Sequence, residues 1–85
     1  MPVRNIISKK TFEVFMITKE DISKRLSDAI IRSGLTRKEV AEKIGVSQPT
    51  VSHYVSGNKM PSLETLANLC RALDLDANDL LCLGD

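Results

Sequence analysis

Cysteine and histidine are scarce in this sequence, and their placement excludes most of the chemistry they usually carry. The two cysteines, Cys70 and Cys82, have no CxxC spacing and no histidine beside them, which argues against a zinc site and against a disulfide framework. They read as reduced thiols, Cys70 inside the fold and Cys82 near a surface. Histidine occurs once, at His53. A lone imidazole without cysteine or carboxylate ligands nearby suits a surface contact better than a metal centre or a pH sensor. Paired carboxylates in an apolar cleft, a nucleophile with a base at motif spacing and a glycine-rich phosphate loop ahead of a helix are missing too. No enzyme activity, metal or cofactor is therefore expected.

Long hydrophobic runs are also absent. No stretch approaches the roughly 18 apolar residues of a membrane span, and the N-terminus lacks the basic-then-apolar order of a secretory signal; a cytoplasmic location is the expectation. No internal repeat or low-complexity segment occurs. The 85 residues suffice for one small core, and 42% hydrophobic with 27% charged residues is the balance of an ordinary folding chain.

The net charge of +1 conceals an asymmetry. Residues 1–59 hold 11 Lys/Arg against 6 Asp/Glu, giving +5, whereas residues 60–85 hold 1 against 5, giving −4. Local charge governs attraction to an anionic polymer, so this split predicts a basic face for phosphates and an acidic far side.

Caps and apolar spacing mark five helical segments. Thr18, with Asp21 in the first turn, opens the first, which carries Ile22, Leu26, Ala29 and Ile30 and stops at Gly34. Thr36 and Glu39 form a capping box for a second segment bearing Val40, Ala41 and Ile44, closed by Gly45. Ser47 caps a third, in which Pro49 is tolerated because first-turn N–H groups have no helical partner. Its residues Val51, Tyr54 and Val55 face inward, with Tyr54 at the core edge and its hydroxyl outward, and Gly57 ends it. Ser62 caps a fourth with Leu63, Leu66, Ala67, Leu69, Cys70 and Leu73; as the most apolar helix it is expected to be central. Asp76 caps a short last segment ending in Leu80, Leu81 and Leu83. Residues 1–17 differ: Thr11-Phe12-Glu13-Val14-Phe15-Met16-Ile17 is β-branched and aromatic and lacks a cap, which predicts a strand or extended arm. The organisation is an arm over residues 1–17 and an all-α domain over residues 18–85.

The informative stretch runs from Leu35 to Pro61, LTRKEVAEKIGVSQPTVSHYVSGNKMP. Two short helices joined by Gly45-Val46-Ser47 make a helix-turn-helix, in which Ala41, Val46 and Val51 let the pair cross closely. The outward side of the second helix carries Gln48, Thr50, Ser52, His53 and Ser56 with no acid among them. Three segments, LT-x-x-E-x-A, G-V-S-Q-x-T-V-S and S-G-x-K-x-P-S, resemble the XRE family of phage Cro and repressor proteins over about residues 20–81.

That resemblance implies a five-helix, lambda-repressor-like domain with an N-terminal arm or β-strand, cytoplasmic and of bacterial or phage type, whose third helix enters the DNA major groove. It implies a transcriptional regulator, most simply a dimeric repressor on a near-palindromic double-stranded operator. An antitoxin that holds a toxin or other protein partner and represses its own operon is the alternative. Carried over by position, Gln48, Pro49, Thr50, Ser52 and His53 read bases or adjoining phosphates, Gln48 by a bidentate bond to adenine. The phosphate set is Arg37, Lys38, Lys43, Ser56 and Lys59. Arg4, Lys9 and Lys10 in the arm either follow the DNA backbone or enter the minor groove, as basic arms do in other DNA binders, or form a solvated tail. Arg37 stands where the family commonly has glutamine, which changes the bracing of Gln48. Ile30 and Val55 replace a charged pair and predict an apolar contact. Phe12, Val14, Met16, Leu80, Leu81 and Leu83 supply apolar surface for a dimer.

Overall fold

Five residues with short polar side chains set the starts of the helices. Thr18, Thr36, Ser47, Ser62 and Asp76 all lie in extended backbone, and each accepts a backbone N–H from the first turn that follows. The computed structural model describes residues 16–84. Within it the helices are α1 (Lys19–Arg32), α2 (Arg37–Ile44), α3 (Gln48–Ser56), α4 (Leu63–Ala72) and α5 (Ala77–Leu80). The boxes at Thr18/Asp21 and Thr36/Glu39 are both closed in both directions, with Asp21 and Glu39 each accepting from the cap backbone N–H at 3.0 and 2.8 Å. No strand occurs among the described residues, so the domain is all-helical.

The core is drawn chiefly from the first three helices. Leu26 and Ile30 of α1, Val40, Ala41 and Ile44 of α2, and Val51 and Tyr54 of α3 are buried, joined by Leu69 and Leu80. Leu35, Val46 and Val55 pack against this cluster from its edge. Tyr54 is buried almost completely, more than a core-edge position implies, and desolvation pushes its phenol pKa up. Ile30 and Val55 join one apolar cluster in place of a charged pair, as expected.

Three expectations are corrected. α4 is not central: only Leu69 of its apolar residues is buried, and Leu63 is 85% exposed. High apolar content told of a hydrophobic helix but not of how much of it the rest of this small chain covers. Cys70, on the same helix, is half-buried rather than inside, with its thiol pKa raised by burial and by the Asp76 charge. Finally, Leu80 is buried within the chain's own core, which removes it from the apolar surface open to a partner. Leu81 and Cys82 are half-buried and Leu83 remains exposed. The expected strand falls mostly at residues 11–15, with Phe12 and Val14, outside the described residues; Met16 and Ile17 are exposed and not in a strand.

Two long-range contacts hold the end of α3 and the last helix to α1. Ser27 Oγ donates to the Val55 carbonyl at 2.8 Å, fixing the last turn of α3. Arg25 Nη1 donates to the Asp79 carbonyl at 2.8 Å and to its carboxylate at 3.2 Å, clamping α5. Among the described residues no helix is long and apolar enough to cross a membrane.

Candidate nucleic-acid interface

α2 and α3 are joined by three residues, and the chain can turn there because Gly45 takes a left-handed conformation with φ 73°. The Gly45 and Val46 N–H groups both bond back to the Ala41 carbonyl, at 2.9 and 3.0 Å, so the turn is closed before α3 begins. Ser47 Oγ then accepts the Thr50 N–H at 3.2 Å and lies 2.8 Å from Thr50 Oγ1. This ties the Thr50 hydroxyl to the cap. Pro49 stands in the first turn, where its missing N–H costs nothing.

With Val51 and Tyr54 turned into the core, the opposite side of α3 is set. Gln48, Pro49, His53 and Ser56 are exposed there, and Thr50 and Ser52 half-buried. The base-reading candidates therefore lie together on a single helix. No acidic residue occupies its first turn, and a helix N-terminus with uncovered N–H groups carries partial positive charge.

Of the phosphate candidates, Arg37 is drawn directly into this surface. Its Nη1 donates to Ser52 Oγ at 3.3 Å, across from the first turn of α2 to the middle of α3. The brace the sequence led one to look for at Gln48 is made at Ser52. Lys59 is exposed in the loop after α3; its backbone N–H and that of Asn58 bond to the His53 carbonyl at 3.3 and 3.0 Å, holding the loop against the helix end. Ser56 Oγ donates to the same carbonyl at 3.2 Å. Lys38 and Lys43 are exposed on α2 and take no part in the hydrogen bonds that organise α3. Glu39, the acid nearest Arg37 in the sequence, is held by its cap: the Thr36 backbone and hydroxyl keep its carboxyl below the usual range.

Sequence reasoning missed Arg25 and Ser27, which position α5 and the end of α3. Their partners lie 54 and 28 residues away, and nothing local signals such pairs. Among the described residues no group of three or more His, Cys, Asp or Glu side chains is placed to hold a metal ion.

Residues 26–80 match the protein family described as Helix-turn-helix. The chain is 42% identical over 66 residues to the antitoxin HigA1 of Mycobacterium tuberculosis, a match covering 71% of this chain and 44% of that protein. It is 32% identical over 60 residues to the HTH-type transcriptional regulator ImmR of Bacillus subtilis, covering 71% of this chain and 47% of the relative. A third relative, described as the uncharacterized HTH-type transcriptional regulator YqaE of Bacillus subtilis, is 34% identical over 47 residues, covering 55% of this chain and 40% of its own length. The chain thus spans less than half the length of each of these relatives. No solved structure matches it significantly.

Proposed function

The chain belongs to the helix-turn-helix family, of the XRE type, and from that premise we propose that it binds double-stranded DNA and regulates transcription, with α3 in the major groove. The observation that carries this reading is the outward face of α3. Gln48, Thr50, Ser52 and His53 present donors, acceptors and a methyl group on one helix free of acids in its first turn, the kind of surface that reads base edges. Around it Arg37, Lys38, Lys43, Lys59 and Ser56 meet phosphates, fixing register without reading sequence. Two relatives named as transcriptional regulators support the same reading, which assigns no catalytic step and sets the protein in the cytoplasm. The finer form is a repressor working as a homodimer on a near-palindromic site, with half-sites about 34 Å apart.

Selection of duplexes from a random pool with the purified chain tests it. The expected result is an enriched site of two-fold symmetry, with discrimination between it and a scrambled duplex lost in Gln48→Ala. Equal, weak binding of all duplexes by the unaltered chain would overturn it. The likeness to an antitoxin favours a second reading, in which the chain also holds a toxin; co-purification of a stoichiometric protein partner from the native source is its test.

A further inference from the structure

Five large apolar side chains are exposed among the described residues, and four of them, Met16, Ile17, Ile31 and Leu83, line one groove. The groove runs along α1 between the entry to that helix, the tail after α5 and the loop that follows α3. Ile31 is 64% and Leu83 61% exposed, and apolar surface gathered in this way on a small domain marks a contact face. Met16 and Ile17 precede α1 in the chain and Leu83 lies close to the other end, so the two separate regions from which a dimer contact was expected converge on a single surface.

The charges beside the groove specify what it fits. Glu20, Lys24, Asp28 and Arg32 follow at four-residue spacing along α1, forming a ridge of alternating sign. The first three line the groove, and Arg32 Nε bonds Asp28 at 3.1 Å. Read from the opposite end, acid-base-acid-base becomes base-acid-base-acid. An antiparallel second helix of the same sequence, centred on Leu26, therefore sets Glu20 of each copy against Arg32 of the other, and Lys24 against Asp28. Ridges of this four-residue spacing are those that interdigitate when helices pack, and a two-fold contact requires a patch that complements itself.

We propose that this groove and the charged ridge of α1 are the surface on which a second copy of the chain docks about a two-fold axis. The proposal rests on the dimeric reading above and gives it a location. The groove is also lined by Val55 and Lys59, at the end of α3 and in the loop beyond it. Docking here sets the contact between the two copies beside the end of each recognition helix.

Sedimentation velocity of the full chain without DNA tests this, with circular dichroism confirming that each variant is folded. The unaltered chain is expected to sediment as a dimer, and Ile31→Asp and Leu83→Asp as monomers. Leu63→Asp, on the exposed part of α4, leaves the dimer intact. Lys24→Glu dissociates it by placing like charges opposite one another at two symmetric positions, and adding Asp28→Lys restores it. That double exchange puts like charges at two of the three neighbouring positions within α1, so a ridge serving only its own helix gives no restoration. A chain monomeric at every concentration, dissociation by Leu63→Asp, or failure of the double exchange overturns the proposal. Duplex selection run alongside keeps the two readings apart. An enriched site bound by a monomer overturns the docking face alone, and a dimer with these responses that enriches nothing supports the face while overturning the DNA-binding reading.

Discussion

Arg37 Nη1 donates to Ser52 Oγ at 3.3 Å, linking the first turn of α2 to the middle of α3. An arginine side chain has donors only, so the serine oxygen must be the acceptor in this bond. The Ser52 hydroxyl hydrogen is thereby left to point elsewhere, and on the proposed reading it is the donor offered to a base acceptor such as guanine O6 or thymine O4. A residue placed among the phosphate contacts thus also orients one placed among the base readers.

A double-mutant cycle on the selected duplex and a scrambled one measures that coupling. Arg37→Ala is expected to weaken binding to both duplexes and to lower the slope of affinity against salt by about one counterion. Ser52→Ala should weaken only the selected duplex, and by less once Arg37 is gone. Strict additivity of the two losses would mean that the bond is not kept in the complex.

The uneven share of the helices in the core makes a second prediction. Leu26 is fully buried on α1, and Leu63 on the more apolar α4 is 85% exposed. Leu26→Ala should destabilise the fold by about 2–5 kcal/mol, the range for a buried leucine truncated to leave a cavity. Leu63→Ala should stay within about 0.5 kcal/mol. Urea unfolding followed by circular dichroism checks both; equal costs would mean that α4 is covered in solution.

The capping boxes give the stability a pH dependence of known sign. Hydrogen bonds from Thr36 hold the Glu39 carboxyl below its usual 4.5, and those from Thr18 hold Asp21 below its usual 3.8. Each group's folded pKa is depressed, so its contribution is complete above the unfolded value and lost as pH falls through the folded one. Stability should therefore fall from about pH 5 downward, and Glu39→Gln should flatten part of that slope. Thr36→Ala, which removes the other half of the box, should cost about 1 kcal/mol near neutral pH. A Glu39→Gln profile parallel to that of the unaltered chain would show that this box carries none of the acid sensitivity.

What was legible in the sequence followed from local chemistry. The caps at Thr18, Thr36, Ser47 and Ser62, the left-handed Gly45 and Gly57, and the inward Val51 and Tyr54 are each decided within a turn of their own position, and together they set the outward face of α3. The central place given to α4 failed because its leucines show that the helix is apolar, while the amount covered depends on neighbours distant in sequence. The Arg25–Asp79 clamp was invisible for the same reason. The bond from Arg37 to Ser52 was half-visible: the departure at Arg37 was evident, but which outward side chain it reaches depends on the crossing of the two helices. The convergence of Met16 and Leu83 on one groove likewise needed the fold, since it joins positions near opposite ends of the chain.

Gly45 and Gly57 separate two costs that sequence reading treats as one. Both are left-handed, with φ 73° and 83°, so alanine at either place should cost about 1–2 kcal/mol of backbone strain. A methyl group at Gly45 meets nothing within 4 Å, whereas at Gly57 it would stand 3.3 Å from Ser23 Oγ. That oxygen is buried and has no hydrogen-bond partner among the described residues. Gly57→Ala should therefore destabilise the fold more than Gly45→Ala. Ser23→Ala breaks no hydrogen bond and removes an unsatisfied buried oxygen, so it should be neutral or stabilising by about 1 kcal/mol. In that background the cost of Gly57→Ala should fall to that of Gly45→Ala. Urea midpoints of the three single variants and the Ser23→Ala, Gly57→Ala double variant decide it. A Gly57→Ala cost unchanged by Ser23→Ala would trace the excess to the turn itself rather than to the close approach of α1.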